Sequence, residues 1–182
     1  IDAAQLGLPF MITSKVRGSI YGSSVEVERT LSDEMAKTIV QTLAQIHAIP
    51  VTTPALQRSA LGRWLKFESL TENTLENVRF WRELVLRRDT NSCVAVNAAY
   101  AWLVDNVPEV HEPMCLLHGD YALHNLLIDQ GKVTGVLDWE AARIGDPAED
   151  LSYLLQSTST HIDRDKAIRW YEEAGGRKIS EQ

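Results

Sequence analysis

Residues 118–140 read HGDYALHNLLIDQGKVTGVLDWE, and this stretch decides how the whole chain folds. Two strand-like apolar runs, Leu126-Leu127-Ile128 and Val133-Thr134-Gly135-Val136-Leu137, stand among polar and ionisable side chains. Asp129-Gln130-Gly131-Lys132 between them is a turn signal, so the pair is predicted to form a β-hairpin. Folding about Gln130 and Gly131 sets Asn125 across from about Val136, with Asp138 beyond it near Leu123. Asn125 and Asp138, thirteen apart, then open at the same end, and Asp120 sits on the loop entering the hairpin. Polar groups at the ends of buried strands are costly to desolvate unless they bind something.

An amide oxygen and carboxylates converging on one place is hard-oxygen chemistry of the kind Mg²⁺ prefers. A neighbouring carboxylate that is not a ligand can accept a proton from a hydroxyl. A sharper alternative reads His118, Asp120 and His124 as ligands of a metal-dependent hydrolase. Against it, the two histidines are six apart in a loop, which matches no strong zinc spacing. The plainest alternative is a solvated hairpin with incidental charge. It leaves unexplained why Asp120, Asn125 and Asp138 bracket apolar strands.

The remaining 159 of the 182 residues set the context: 45% apolar and 24% charged over the whole chain, an ordinary globular composition with room for one cored domain or two small lobes. A net charge of −7 argues against a nucleic-acid surface, which normally carries a basic stripe. No apolar run approaches the roughly 20 residues that span a bilayer. The first residues show no signal-peptide pattern, and the sequence starts at Ile1. Cys93 and Cys115, 22 apart, form no CxxC, which argues against a zinc or disulfide framework and suits a reducing, cytoplasmic compartment. Cys115, inside Met114-Cys115-Leu116-Leu117, reads as a small buried hydrophobe.

Along the chain, Pro9 to Val16 reads as extended, closed by Gly18 and then Gly22. Ser32 is placed to cap a helix carrying Ala36, Ile39, Val40, Leu43 and Ile46, which Pro50 ends. A polar, proline-containing connection follows, then helices from Thr71 to about Arg88 and from Cys93 to Val104, with a turn and helix start at Asp89-Thr90-Asn91-Ser92. Asp146 and Pro147 are placed as N-cap and first residue of a helix with Glu149 and Asp150 in its first turn. An amphipathic tail begins at Asp163. The expected fold class is α+β, mostly helical, with few short strands.

The pattern HGDxxxxN, followed by a hairpin and DWE, resembles the aminoglycoside phosphotransferase and choline kinase-like family, which shares the protein-kinase fold. The likeness extends to GDPAEDLSYLL at 145–155, to AQIHAIP at 44–50 and to LGLPFMITSKVRG at 6–18, and is weakest over 51–113. It implies the kinase-like C-terminal lobe: a hinge strand remnant over 1–18 and a helical lobe over 19–182, with the catalytic loop at 118–125 and the metal hairpin at 126–140. Asp120 would be the base that takes the proton of the acceptor hydroxyl, with His118 orienting the loop. Asn125 and Asp138 would hold Mg²⁺ on the phosphates of ATP or GTP. Glu140 is either part of the metal's surroundings or a surface residue. Asp150 would brace the loop backbone, and the backbone of Ser14 and Val16 would bond the adenine.

The implied reaction is phosphorylation of a hydroxyl on a small molecule, an antibiotic or a metabolite, with nucleotide and alcohol as the partners. Ala122 stands where the nearest branch often has Arg, and His124 stands where smaller residues or Asp are usual. His47 reads as a satisfied structural histidine. Kinase-like enzymes also need a preceding lobe with a phosphate-gripping strand lysine. Lys15, Lys37, Lys66, Lys132, Lys166 and Lys178 all lie at or after the hinge, so the N-terminal nucleotide lobe is expected to be missing from this stretch and the isolated chain nearly inactive. A non-catalytic, kinase-derived binding module remains the second reading. An apolar face on Phe10 and Ile12 is expected to invite self-association.

Overall fold

A computed structural model describes residues 13–21, 31–88, 94–109, 113–158 and 162–179. In chain order the elements are β1 (Ser19–Ile20), α1 (Asp33–His47), α2 (Pro54–Arg58), a 3₁₀ segment (Ala60–Lys66), α3 (Leu70–Arg88), α4 (Val94–Asp105), β2 (Cys115–Leu117), β3 (Leu126–Asp129), β4 (Lys132–Val136), β5 (Arg143–Gly145), α5 (Pro147–Ser157) and α6 (Arg164–Glu173). The fold is α+β and mostly helical, as expected. Its strands make two small antiparallel sheets, β1-β3-β4 and β2-β5.

Helix α1 starts where Ser32 accepts the Met35 N–H at 3.2 Å, and its periodic apolar residues Ile39, Val40 and Leu43 are fully buried. They pack with Leu151 and Leu154 of α5, Ala167 and Tyr171 of α6, and Leu126 and Ile144 from the strands, making one core. Asp146 caps α5 through the Ala148 N–H at 2.9 Å with Pro147 in its first turn, and Asp163 caps α6. Cys115 is buried in β2. Helix α4, by contrast, has no buried residue, and Val94 and Trp102 face outward.

Three local expectations are corrected. The hairpin turns at Gln130 (φ 49°) and Gly131 (φ 76°), both left-handed, which matches the right-handed twist of the strands. Its register begins as expected, Asp129 opposite Lys132 and Ile128 opposite Val133, but slips at a bulge between Leu127 and Ile128. Leu126 therefore faces Val136, and Asn125 lies opposite Leu137, one residue beyond the expected partner. Second, the connection after Pro50 is not featureless. Pro54 opens α2, and the 3₁₀ segment buries Trp64. Third, the N-terminal strand pairs only at Ser19 and Ile20, after Gly18, whose φ of 129° turns the chain, whereas residues 13–16 are irregular and exposed. Pro9 to Ile12 with their expected apolar face, Gly22, and the helix start at 89–93 lie outside the described residues.

Candidate active site

The loop from His118 to Asn125 is held by its own backbone. Gly119 has φ of 83°, and a Cβ there would fall 2.3 Å from the Ala141 carbonyl oxygen, so only glycine lets the loop lie this close to the segment after the hairpin. His118 is fully buried. Its Nε2 donates to the Leu137 carbonyl at 2.8 Å, and its Nδ1 accepts the Asp120 N–H at 3.2 Å, which fixes the ring tautomer. Trp139 and Tyr121 pack edge-on against the ring at 4.8 and 5.9 Å. Tyr121 in turn donates to the Ile39 carbonyl of α1 at 2.9 Å, anchoring the loop to the core.

Asp150, buried in the first turn of α5, reaches back under the loop. Its Oδ2 accepts the His118 N–H at 2.7 Å and its Oδ1 the Gly119 N–H at 2.8 Å. The same Oδ2 lies 3.2 Å from His47 Nε2, and His47 Nδ1 lies 2.8 Å from the Tyr171 hydroxyl. Burial pushes the Tyr171 hydroxyl well above its ordinary range, so it stays protonated beside His47. A relay from α6 through α1 to α5 thus ends on the loop backbone, and His47 is a satisfied structural residue.

At the hairpin mouth Asn125 Nδ2 donates to both the carbonyl and the carboxylate Oδ2 of Asp120, each at 2.9 Å. With its nitrogen committed, the amide presents Oδ1 as the free acceptor. Leu137 N–H binds the Asn125 carbonyl at 2.8 Å, joining this residue to the strand that leads to Asp138. Asp138 takes a left-handed conformation (φ 62°, ψ 65°), is exposed, and has no hydrogen-bond or ion-pair partner among the described residues. Strained non-glycine positions of this kind concentrate at functional sites. Glu140, in the turn that follows, is also exposed and unpaired among the described residues. Ser14 and Val16 are exposed and outside the sheet.

Of two residues near Asp120, sequence reasoning missed Tyr153 and read His124 beside it only as a ligand of the alternative metal site. Tyr153, one helical turn beyond Asp150, hydrogen-bonds to the Asp120 carboxylate, and His124 Nε2 stands 3.6 Å from Asp120 Oδ2. Burial alone would raise the Asp120 carboxyl, but hydrogen bonds from Tyr153 and Asn125 and the nearby His124 together lower it below the usual carboxylate range. The three-residue step from Asp150 to Tyr153 places both on one face of α5, and that spacing was the available signal.

The geometry does not assemble the alternative metal site. Both His118 ring nitrogens are engaged, His124 is exposed, and no group of three or more metal-ligating His, Cys, Asp or Glu side chains occurs among the described residues.

A model of the APH phosphotransferase enzyme family matches residues 1–180. The solved macrolide 2'-phosphotransferase MphH of Brachybacterium faecium superposes with a TM-score of 0.62 at 27% identity, over 90% of this chain and 54% of that one. Acyl-CoA dehydrogenase family member 11 of Mus musculus is 27% identical over 158 residues, 84% of this chain and 19% of that protein. YcbJ of Bacillus subtilis is 28% identical over 149 residues, 80% of this chain and 45% of that protein. The chain thus spans about half of the solved relative and a fifth of the mouse protein. With a family match over almost its whole length and a kinase-like fold to accompany it, this chain belongs to the phosphotransferase enzyme family.

Proposed function

We propose that this chain carries the catalytic loop and metal hairpin of an enzyme that transfers the terminal phosphoryl group of ATP or GTP to a hydroxyl of a small molecule. The observation that carries the reading is the commitment of the Asn125 amide nitrogen to Asp120, which leaves Oδ1 and the unpartnered Asp138 carboxylate as hard-oxygen donors at one hairpin mouth. Two protein oxygens, with phosphates and waters completing the shell, is the usual way Mg²⁺ is held. The residues present fit that ion; bound there with nucleotide, it would neutralise charge on the phosphates. Glu140 is near enough in sequence to add to its surroundings.

In this reading Asp120 receives the proton of the acceptor hydroxyl. The hydrogen bonds that lower its carboxyl keep it ionised and aimed, and His118 and Asp150 hold the backbone from which it projects. The exposed Ser14 and Val16 backbone is available to the nucleotide base. The macrolide 2'-phosphotransferase likeness supports an alcohol acceptor.

The test is calorimetric titration with ATP, with and without Mg²⁺. Binding should require Mg²⁺ and vanish in Asp138→Asn, whereas Asp120→Asn should keep binding and lose about 10²–10⁴-fold in transfer. Nucleotide binding without any transfer in a longer chain that includes the preceding lobe would favour the non-catalytic module. Tight zinc binding without nucleotide would sink the proposal.

A further inference from the structure

Tyr171, in the last turn of α6, is fully buried, and its hydroxyl touches the catalytic loop only through other residues. Just past the helix the chain turns back over the tyrosine, where the Gly176 N–H bonds the Tyr171 carbonyl at 2.9 Å. A Cβ on Gly176 would fall 2.3 Å from Cε1 of the ring, so the glycine backbone lies directly against it. His47 packs edge-on against the same ring, with centroids 5.6 Å apart. Packed this closely, the ring has no room to swing its hydroxyl elsewhere.

Counting donors and acceptors fixes where the protons sit. A carboxylate only accepts hydrogen bonds. Asp150 Oδ2 already takes the His118 N–H at 2.7 Å, and His47 Nε2 lies 3.2 Å from the same oxygen. That nitrogen must carry a hydrogen, since lone pairs would otherwise face each other in a buried place. In a neutral imidazole the other nitrogen, Nδ1, is then an acceptor. The Tyr171 hydroxyl stands 2.8 Å from it. The Arg177 backbone N–H also bonds that hydroxyl, which occupies its oxygen as an acceptor and leaves its hydrogen for His47. Burial, which pushes the hydroxyl well above its ordinary range, keeps that hydrogen in place.

An imidazole without such a partner can carry its hydrogen on either nitrogen. The Nδ1–H form would turn a lone pair toward Asp150 and push the carboxylate away from the two amides it holds. We infer that Tyr171 is a positioning residue for the loop that carries Asp120: its hydroxyl sets the His47 ring in the Nε2–H form, and that hydrogen holds the Asp150 carboxylate under the His118 and Gly119 amides. The catalytic role of the loop rests on the phosphotransfer reading; the positioning does not.

The test is long-range ¹H–¹⁵N NMR of the histidine rings at pH 8, joined to amide exchange, without nucleotide. The His47 ring of the unaltered protein should show the Nε2–H form alone. Tyr171→Phe keeps the ring and removes the hydroxyl, and His47 should then populate both neutral forms. In that variant the His118 and Gly119 amides should exchange about fivefold faster relative to those of Ile39 and Leu43, through loss of one neutral hydrogen bond. A merely structural loss would quicken all four amides alike. An Nδ1–H or doubly protonated His47 in the unaltered protein would overturn the inference. So would an unchanged ring form, or an unchanged ratio of loop to core exchange, in Tyr171→Phe. The first spectrum needs no variant, so the inference can fail even where Tyr171→Phe does not fold. Because nucleotide is absent, these results are independent of the Mg²⁺–ATP titration, and either reading can fail alone.

Discussion

Asp150 shows how much one side chain can hold. Its two oxygens accept two loop amides and face His47, all within 3.2 Å, and it is almost wholly buried. Asp150→Ala leaves two buried donors and a histidine without their acceptor, and should cost about 3 kcal/mol in urea unfolding. Cys115 gives a second check at this scale. Burial, reinforced by the Asp150 carboxylate, pushes its thiol up to about 12, so almost none is thiolate at pH 8. Peptide mapping after iodoacetamide treatment at pH 8 should find Cys115 unmodified in the folded protein and modified once urea unfolds it. The neighbourhood of Asp120, Asn125 and Asp138 was legible because polar residues interrupt two apolar runs. Tyr153 was not, since a tyrosine on a helix is ordinary until the fold sets it beside Asp120.

Among the elements, the hairpin and α5 divide the work. The hairpin carries Asn125 and leads into Asp138, while α5 supplies Asp146 as cap, Glu149 to Arg143, Asp150 to the loop and Tyr153 to Asp120. Both elements were readable in outline from the turn residues and from Asp146-Pro147. The bulge was not, because strand alternation tolerates one extra residue whose placement depends on packing from both faces. Nor was the short helix at Pro54, which has too few residues to show a period. The loop and the segment after the hairpin lie in close contact. Gly119→Ala would drive a Cβ into the Ala141 carbonyl at a left-handed φ, and should cost about 1–3 kcal/mol in thermal or urea unfolding.

Taken as a whole, the molecule is a helical body that grips one loop from three sides. Helices α1, α5 and α6 share the core, and the Tyr171–His47–Asp150 relay crosses all three before reaching His118 and Gly119. Helices α3 and α4 stand apart from that core: α4 buries none of its side chains, and α3 leaves Phe80 and Trp81 half exposed. The sequence places α3 and α4 well but cannot say which face each buries, because apolar residues ring α4 without a stripe. No helix among the described residues is long and apolar enough to cross a membrane.

The relay has a consequence for how the protein breathes. Loop amides ordinarily trade their protons with water within seconds, but those of His118 and Gly119 are bonded to a carboxylate that three helices hold in place. Their release requires the helices to separate. In deuterium exchange these two amides should therefore be retained as long as those of Ile39 and Leu43 in α1, and a loop by shape should behave as core by clock.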